Sequence, residues 1–506
     1  MMTAPALKAG DDDVELLRPQ DAFFLYTETP HVQQHVGGLA ILDPSRRSGG
    51  RLRPDDLTAL LSRRLHRLPR LRQRLALPPL GLARAAWVDD AAFDLGWHVR
   101  RLVLPAPGRW PELCALVEGV MAEPLDRSRP LWELYLVDGL EDGSQAVVLK
   151  LHHAIADGLG ALNIAQHLFG LAGGKGRGVL RLLRAMSGPV DPDPGPTSPE
   201  EHLAWRPAPP PSRSRLFWRT LADQVAAPWR AFGGALARTV RHPARSFRRA
   251  GEIIVGLWQL ARSGTAPRST LNRPVGARRR IVLTEVPLDQ VKKIRGKLGG
   301  TINDIVLTLI AEGLHSLLER RGEQAGTLRV MVPVAVRPPG QAAAPGTWTS
   351  ALSVDLPVGA MCPAERLAAV RVLTKQAKRS HQALGASFVM QMVGAWAPAA
   401  LHARAARFAY RGRWFNLIVT TLRGVASAVD IAGARVVVTF PLMPLAEDVG
   451  LTVAALTWGD RLTIGLTADA GTIPDLELVA AALLDSAERL YQATSDPGAP
   501  RARRAV

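Results

Sequence analysis

An apolar run that ends in two adjacent histidines is the feature that most constrains the fold of this chain. Residues Gln145–Leu151 are mostly β-branched or apolar, which predicts a buried strand, and His152 and His153 follow at once. Residues Gly158–Gly170 then show the apolar spacing of a helix, with an Asp-Gly pair in the turn before it. The same alternation of strand-like and helix-like runs covers Leu16–Gly170, so the sequence predicts an α/β unit.

Changes in composition divide the 506 residues into three parts. After Gly173 proline, glycine and serine replace the apolar periodicity, which is typical of a linker or a surface excursion. A second α/β unit starts near Ser269. We predict an N-terminal domain at residues 1–180, a Pro/Arg-rich linker with basic amphipathic helices at residues 181–265, and a C-terminal domain at residues 266–506.

Three patterns predict elements of the second unit. A helix begins with capping-type residues near Thr301, in the stretch "TINDIVLTLIAEGLHSLLERRGE". Two alternating runs separated by Gly459 and Asp460 predict a β-hairpin with a two-residue turn. Pro474 precedes a final amphipathic helix.

The charge balance is strongly basic. The chain has 63 Lys and Arg against 45 Asp and Glu, a net charge of +18 and a pI near 10.9. Such a surface favours polyanions: nucleic acids, anionic lipids or phosphorylated small molecules. No zinc-finger or RRM-like signature occurs in the sequence, so we expect no nucleic-acid partner.

The basic residues are concentrated in one segment, Arg213–Arg262. This segment has ten arginines and only two acids, with tryptophan and phenylalanine residues placed between the arginines. That pattern fits an interfacial membrane helix, and it equally fits a solvated pair of connecting helices. Pro228 and Pro243 predict short helical pieces here.

The N-terminus and the cysteines bear on the compartment. Three aspartates stand where a signal peptide would need apolar residues, and polar residues or glycines interrupt the longest uncharged stretch. Cys114 and Cys362 lie far apart without a CxxC spacing. We expect a cytoplasmic protein without a disulfide framework and with only peripheral membrane contact.

The histidine pair allows four chemistries. Successive side chains of a strand point to opposite faces, so His152 and His153 have different tasks if the strand continues to its end. A metal site would need a third ligand that the spacing does not offer, and a Ser-His-Asp hydrolase would need a GxSxG turn that is absent from the chain. A structural pair, with Asp157 capping the next helix, and a general base remain open.

His152-His153-x-x-x-Asp157-Gly158 resembles the HHxxxDG motif of CoA-dependent acyltransferases, in particular the bacterial bifunctional wax ester synthase/diacylglycerol acyltransferase family. The resemblance covers nearly the whole chain, because further landmarks follow in the order of that family. These landmarks are Leu17–Leu25, Phe93–Arg100, Glu123–Leu140, Ser269–Ile281, Gly300–Leu307, Val332–Arg337 and Leu466–Asp475.

The resemblance implies a fold and a set of site residues. The fold is α/β (α+β), with two chloramphenicol-acetyltransferase-like domains, mixed sheets flanked by helices, and an active-site channel at the domain interface. His153 would be the general base, while His152, Asp157 and Gly158 would shape the turn. Asn303 would approach from the second domain. The resemblance implies no metal, no acyl-enzyme and no cofactor beyond acyl-CoA as co-substrate.

The resemblance also implies an activity. A long-chain acyl group would pass from acyl-CoA to the hydroxyl of diacylglycerol, giving triacylglycerol, or of a long-chain fatty alcohol, giving a wax ester. From the basic segment Arg213–Arg262, rather than from the resemblance, we expect the enzyme to be held on the inner face of the membrane or on lipid droplets, where its apolar substrates are. Two alternatives are a related transferase that acts on another alcohol or a carrier-protein thioester, and a non-catalytic lipid-binding homologue.

Four positions depart from the family pattern. Thr421 and Thr347 stand where asparagine is expected, Arg423 where proline is expected, and Gln34 where methionine is usual. We expect these departures to alter channel and support positions while leaving the histidine motif intact.

Overall fold

The structure is a computed structural model, and it describes most of the chain. The described residues are 15–77, 84–169, 205–262, 264–335, 349–380, 385, 399–424 and 429–495. Residues 1–14, the first part of the predicted linker (181–204), the end of the landmark Val332–Arg337 and the departure at Thr347 lie outside them.

Fifteen strands are described, and we number them in chain order. They are β1 (Glu15–Leu16), β2 (His35–Asp43), β3 (Gln73–Ala76), β4 (Ala86–Asp89), β5 (Val99–Val103), β6 (Trp132–Asp138), β7 (Gln145–His152), β8 (Arg279–Pro287), β9 (Thr327–Ala335), β10 (Thr349–Pro357), β11 (Leu417–Arg423), β12 (Asp430–Ile431), β13 (Ala434–Leu442), β14 (Leu451–Trp458) and β15 (Arg461–Asp469).

The α-helices of the described residues are numbered in the same way. They are α1 (Pro19–Thr27), α2 (Pro54–Ser62), α3 (Leu95–His98), α4 (Trp110–Ala122), α5 (Gly158–Phe169), α6 (Arg213–Arg241), α7 (Pro243–Arg262), α8 (Leu288–Leu298), α9 (Ile302–Arg320), α10 (Pro363–Arg379), α11 (Ala399–Ala409) and α12 (Leu476–Gln492).

The first six-stranded sheet has the order β12-β13-β2-β7-β6-β5 and carries the histidine pair at the end of β7. Its strands are antiparallel except for the β5–β6 pair, which is parallel. Every residue of β7 is buried, as its unbroken apolar run predicts. Strands β12 and β13 come from the second half of the chain, so this sheet does not follow the order of the sequence.

The second six-stranded sheet has the order β10-β9-β11-β14-β15-β8 and is also mixed. Strands β14 and β15 form the predicted hairpin, with Trp458 opposite Arg461 across Gly459 and Asp460. Gly459 has a φ of 56°, a left-handed conformation that costs glycine little, which is why this dipeptide forms a tight turn. The predicted α/β fold with mixed sheets flanked by helices is confirmed.

Helix α9 is the central helix of the second core. It is buried along most of its length, and Gly313 lets it approach α12 closely, because a Cβ at Gly313 would lie 2.6 Å from the carbonyl oxygen of Val479. Among the described residues no single helix has the length and apolarity to cross a membrane. Helices α8 and α9 reach that length only together, and they are bent by 101° at the break between them.

The basic segment forms two long helices, α6 and α7, rather than several short pieces. The prediction of a break at Pro228 was wrong, because α6 continues through that position to Arg241. A helix tolerates an internal proline at the cost of one backbone hydrogen bond and a local distortion. The break falls instead at His242, so that Pro243 takes the first position of α7.

Candidate active site

The histidine pair is held by the backbone of two neighbouring segments. The backbone N–H of His152 donates to the carbonyl oxygen of Leu131 at 2.9 Å, and that of His153 donates to the carbonyl oxygen of Gln34 at 2.8 Å. Both imidazoles are buried, with 2% of His152 and 6% of His153 exposed. Backbone hydrogen bonds alone therefore hold the end of β7 in place, without any contribution from the two imidazoles.

The His152 imidazole supports the turn and faces a carboxylate. Its Nδ1 accepts the backbone N–H of Ala154 at 2.9 Å, so the proton of a neutral ring is on Nε2. Nε2 lies 3.1 Å from Oε1 of Glu28, close enough for electrostatic attraction although the angle is poor for a hydrogen bond. Both nitrogens of His152 are thus directed at the protein.

Glu28 is an ionised carboxylate in a nearly buried position. Its side chain is 8% exposed, and burial alone would raise its pKa, but contacts from His152, the backbone N–H of Gln34 and Arg127 lower that pKa to about 2. Arg127 forms an ion pair with the second carboxylate oxygen. The carboxylate therefore stays charged at every physiological pH and keeps His152 in place.

The His153 imidazole lies in an apolar setting instead. It stacks on the ring of Phe24 in α1, with centroids 3.6 Å apart and planes tilted by 17°. Burial lowers the pKa of His153 to about 4, although the Asp157 carboxylate acts in the opposite direction. Its Nδ1 is buried and has no hydrogen-bond partner among the described residues. His153 is therefore neutral at physiological pH, which is the state a general base needs.

Asp157 and Gly158 form the turn that leads into α5. Oδ1 of Asp157 accepts a hydrogen bond from the backbone N–H of Gly160 at 2.8 Å, and this contact caps the helix. The backbone carbonyl oxygen of Asp157 accepts a hydrogen bond from the backbone N–H of Ala161 at 2.7 Å. Gly158 faces the second sheet, since a Cβ there would lie 3.5 Å from Leu422 in β11. The motif turn thus meets the second half of the chain at Leu422.

Asn303 lies in the first turn of α9, close to that junction. Thr301 and Asp304 cap the helix reciprocally, with Thr301 N–H donating to Asp304 Oδ2 at 2.7 Å. The hydroxyl of Thr421, the residue before Leu422, donates to Asn303 Oδ1 at 3.1 Å. With its oxygen engaged, the Asn303 side chain has its NH₂ group left to donate.

The structure brings some of the predicted site residues together and leaves one apart. His152, His153, Asp157 and Gly158 form one turn, whereas Asn303 makes no hydrogen bond to either histidine within the described part of the chain. The connection between the two runs through Gly158, Leu422 and Thr421.

Two cavities lie beside these residues. The larger has a volume of about 680 Å³ and is lined by Asn303, Thr421 and Leu422 among others. The smaller has a volume of about 450 Å³ and is lined by Glu28, His35 and His152 among others. The motif turn therefore has one cavity on the side of His152 and another beyond Leu422.

Sequence reasoning missed three contributors to this site: Phe24, Glu28 and the hydroxyl of Thr421. Phe24 belongs to the landmark Leu17–Leu25 and Glu28 follows it. The sequence pattern therefore indicates this stretch, but it does not predict that these two side chains contact the histidines. Another departure, Gln34, donates from its amide to the carbonyl oxygen of Leu445 at 3.1 Å and so ties β2 to the loop after β13.

Two models of one protein family match this chain. The model of the wax ester synthase/diacylglycerol acyltransferase catalytic domain matches residues 17–306, and the model of the C-terminal domain of the same family matches residues 346–491. The chain belongs to the wax ester synthase/diacylglycerol acyltransferase family. This family is one of O-acyltransferases, as expected from the histidine motif.

Relatives within the wax ester synthase/diacylglycerol acyltransferase family match over almost their full length. A probable diacylglycerol O-acyltransferase of Mycobacterium tuberculosis is 30% identical over 485 residues, covering 93% of this chain and 94% of the relative. A putative diacylglycerol O-acyltransferase of the same species is 32% identical over 496 residues, covering 95% and 98%.

Solved structures support the fold. The wax ester synthase/diacylglycerol acyltransferase of Marinobacter aquaeolei VT8 is similar with a TM-score of 0.60 and 24% identity, covering 95% of this chain and all of that one. The first condensation domain of the CDA synthetase is similar with a TM-score of 0.57 and 16% identity, covering 97% and 98%. At these identities the likeness concerns the fold alone.

Proposed function

We propose that this member of the wax ester synthase/diacylglycerol acyltransferase family transfers a long-chain acyl group from acyl-CoA to the hydroxyl of diacylglycerol or of a long-chain fatty alcohol. The observation that carries the proposal is the neutral imidazole of His153. It is buried against Phe24 and is not used to hold the turn, unlike that of His152. A histidine that is neutral and whose Nδ1 has no hydrogen-bond partner among the described residues is suited to proton transfer.

In the proposed reaction His153 acts first as a general base and then as a general acid. Its imidazole takes the hydroxyl proton as the alcohol oxygen attacks the thioester carbonyl, and a tetrahedral oxyanion forms. The carbon–sulfur bond then breaks, and the imidazolium returns the proton to the CoA thiolate. A low pKa makes the imidazolium a good acid for this second step. No acyl-enzyme, metal or further cofactor is part of the proposal.

The other site residues have supporting parts in this proposal. The NH₂ group of Asn303 is the donor for the oxyanion, because Thr421 occupies its oxygen. His152, Asp157 and Gly158 position the turn that carries His153. Their substitution should therefore act on kcat through the position of His153.

The test uses the purified full chain with palmitoyl-CoA and either hexadecanol or dioleoylglycerol. We expect thiol release and ester formation from the wild type, and a loss of at least about a hundredfold in kcat for His153→Ala. His66→Ala, at an exposed histidine outside the site, is the matched control, and circular dichroism checks the fold of each variant. Equal thiol release from wild type and His153→Ala, or none from either, would overturn the proposal.

We further propose that the enzyme works in the cytoplasm as a peripheral protein on the inner membrane face or on lipid droplets, held by α6 and α7. The first turns of α6 are attached to the protein, since Leu216 and Thr220 are buried and Asp223 pairs with Arg84 at 2.7 Å. Away from these contacts the two helices expose large apolar side chains along their whole length. Those more than half exposed are Trp218, Val225, Trp229, Phe232, Leu236, Val240, Phe247, Ile254 and Trp258.

Exposed tryptophan and phenylalanine between arginines suit a layer of anionic headgroups over acyl chains. The test is cosedimentation of the full chain with phosphatidylglycerol vesicles. The triple variant Trp229→Ser, Phe232→Ser, Phe247→Ser should lose at least about tenfold in binding, because each substitution removes an exposed apolar side chain that the lipid would bury. Val103→Ser, equally exposed but on β5, is the control. Unchanged binding of the triple variant would contradict this attachment.

A further inference from the structure

The larger cavity lies beside the motif turn. It is bounded by α8 and the start of α9, by β9, β10, β11 and β14, and by α10. Leu422 lines this cavity and at the same time faces Gly158 of the histidine motif, while Asn303 and Thr421 line it as well. A molecule held in this cavity therefore reaches towards the residues that the proposed reaction uses.

The charge of the cavity lining is entirely positive. Three basic residues line it, and each comes from a different element: Arg295 from α8, Lys378 from α10 and Arg423 from β11. Among the described residues no aspartate or glutamate lines it, and none of the three cations forms an ion pair with a described carboxylate. The neighbouring acid, Asp304, has both oxygens engaged, one by the N–H of Thr301 and the other by the hydroxyl of Thr374.

The smaller cavity is different in this respect. Its cation, Arg127, is paired with Glu28, which in turn contacts His152. The positive charge of Arg127 is neutralised by Glu28, so this cavity offers no unpaired cation to a negatively charged ligand. Of these two cavities, only the larger offers uncompensated positive charge from described residues.

We propose that Arg295, Lys378 and Arg423 bind the phosphate groups of acyl-CoA, so that the donor reaches the motif turn through the larger cavity. The assignment rests on the proposed acyl transfer from acyl-CoA. Of the two substrates, only acyl-CoA carries negative charge; diacylglycerol and fatty alcohols are neutral. Guanidinium and ammonium groups are the side chains that bind phosphate oxygens, and guanidinium does so with two parallel hydrogen bonds.

Arg423 is the residue of greatest interest among the three. Alternation along β11 places it on the same face as Thr421, two residues before it, which bonds Asn303. Arg423 therefore adds a cation to the face of β11 that supports the proposed oxyanion donor.

The experiment compares two acyl donors that differ in their phosphates. Wild type and the variants Arg423→Gln, Lys378→Gln and Arg295→Gln are assayed with palmitoyl-CoA and with the palmitoyl thioester of N-acetylcysteamine, which has no phosphate. With palmitoyl-CoA, each variant should raise KM by about three- to tenfold and change kcat less than twofold, since exposed charge contacts are individually modest. The ratio of kcat/KM values for the two donors should fall by at least about tenfold in the triple variant.

Two controls remove the same charge from the same helices. Lys375→Gln in α10 and Lys292→Gln in α8 are exposed lysines that do not line the cavity, and they should leave KM for palmitoyl-CoA at the wild-type value. Direct titration of CoA by calorimetry gives a readout that does not depend on turnover. The affinity for CoA should weaken in the triple variant and should depend less on salt than in the wild type.

The outcomes separate this proposal from the proposed reaction. If the wild type turns over both donors but the triple variant and the lysine controls have the same KM for palmitoyl-CoA, the phosphate site is overturned and the reaction stands. If the wild type binds CoA through the three cations but releases no thiol, the reaction fails and the phosphate site stands.

Discussion

At the scale of single residues, the two adjacent histidines differ in what surrounds them. His152 has one nitrogen on the backbone of the turn and the other beside Glu28, whereas His153 has a phenylalanine ring against its face. The contacts of His152 fix the orientation of its imidazole, whereas burial lowers the pKa of the His153 imidazole. One residue of the pair thus holds the loop and the other is kept neutral.

The lowered pKa of His153 predicts an unusual pH profile. A base works when it is neutral, so activity rises as the pH passes upward through the pKa, which burial lowers to about 4. We expect kcat/KM for the phosphate-free palmitoyl thioester of N-acetylcysteamine to be constant within about twofold between about pH 5.5 and 8, whereas an ordinary imidazole would titrate near 6.5. This donor is used because the phosphate monoester of CoA itself titrates near pH 6. A midpoint near 6.5 in the measured profile would contradict this assignment.

The hydroxyl of Thr421 is a positioning group for Asn303. Thr421→Val keeps the shape and removes the donor, so the amide of Asn303 is no longer oriented, and we expect kcat to fall about tenfold with KM unchanged. Thr421→Ser keeps the hydroxyl and should restore most of kcat. In a double-mutant cycle, Thr421→Val should cost nothing further in the Asn303→Ala background. Additive losses would show that the hydroxyl acts independently of Asn303.

The sequence predicted the residues of the motif turn because their spacing is local. A strand, an Asp-Gly turn and a helix start can be read within about twenty residues, and the structure has them in that order. Glu28 and Phe24 could not be read in this way. They lie more than a hundred positions before the histidines, and no periodicity connects them to β7.

At the scale of elements, the first turn of α9 joins helix stability to the site. Thr301 caps the helix, Asp304 caps it in return, and Asn303 lies between them. The capping pattern was visible in the sequence, because a hydroxyl residue followed three positions later by an acid is typical of a helix start. The contact of Asn303 with Thr421 in β11 was not visible in the sequence, because the two residues are far apart in the chain and come together only in the folded protein.

Removal of the cap should therefore affect both properties. Thr301→Ala loses the side-chain acceptor for the N–H of Asp304 and should destabilise the protein by about 1 kcal/mol. We expect a lower thermal midpoint together with a several-fold lower kcat, because Asn303 is in the same turn. Thr301→Ser should retain both. A lower midpoint with an unchanged kcat would separate the helix start from the site.

At the scale of the whole molecule, the two halves of the chain share one sheet. Strand β13 pairs with β2 from Arg435 opposite Asp43 to Leu442 opposite Gly37, and β12 continues the edge. The domain boundaries predicted from composition remain a prediction, because composition reports linkers and surfaces but not which strands exchange partners. Hydrophobic alternation in β13 fits a place in either sheet, so the sequence could not decide between them.

This exchange predicts how fragments behave. Residues 1–190 produced alone would leave the edge of β2 unpaired over nearly its whole length, and we expect them to aggregate. Co-expression with residues 191–506 should yield a soluble complex that copurifies. The same second fragment without residues 430–442 is the control and should not rescue solubility. A soluble first fragment on its own would show that β13 is dispensable for the first sheet.

Strand β13 also sets an order of events during synthesis. Strands β2, β5, β6 and β7 leave the ribosome early, but their sheet stays open at β2 until residue 442 has been made. The motif turn meets Leu422 in β11, which is translated only shortly before β13. The histidines are thus among the early products of translation, while β11, whose Leu422 faces their turn, is made near the end. A chain released from the ribosome before residue 422 therefore lacks this contact.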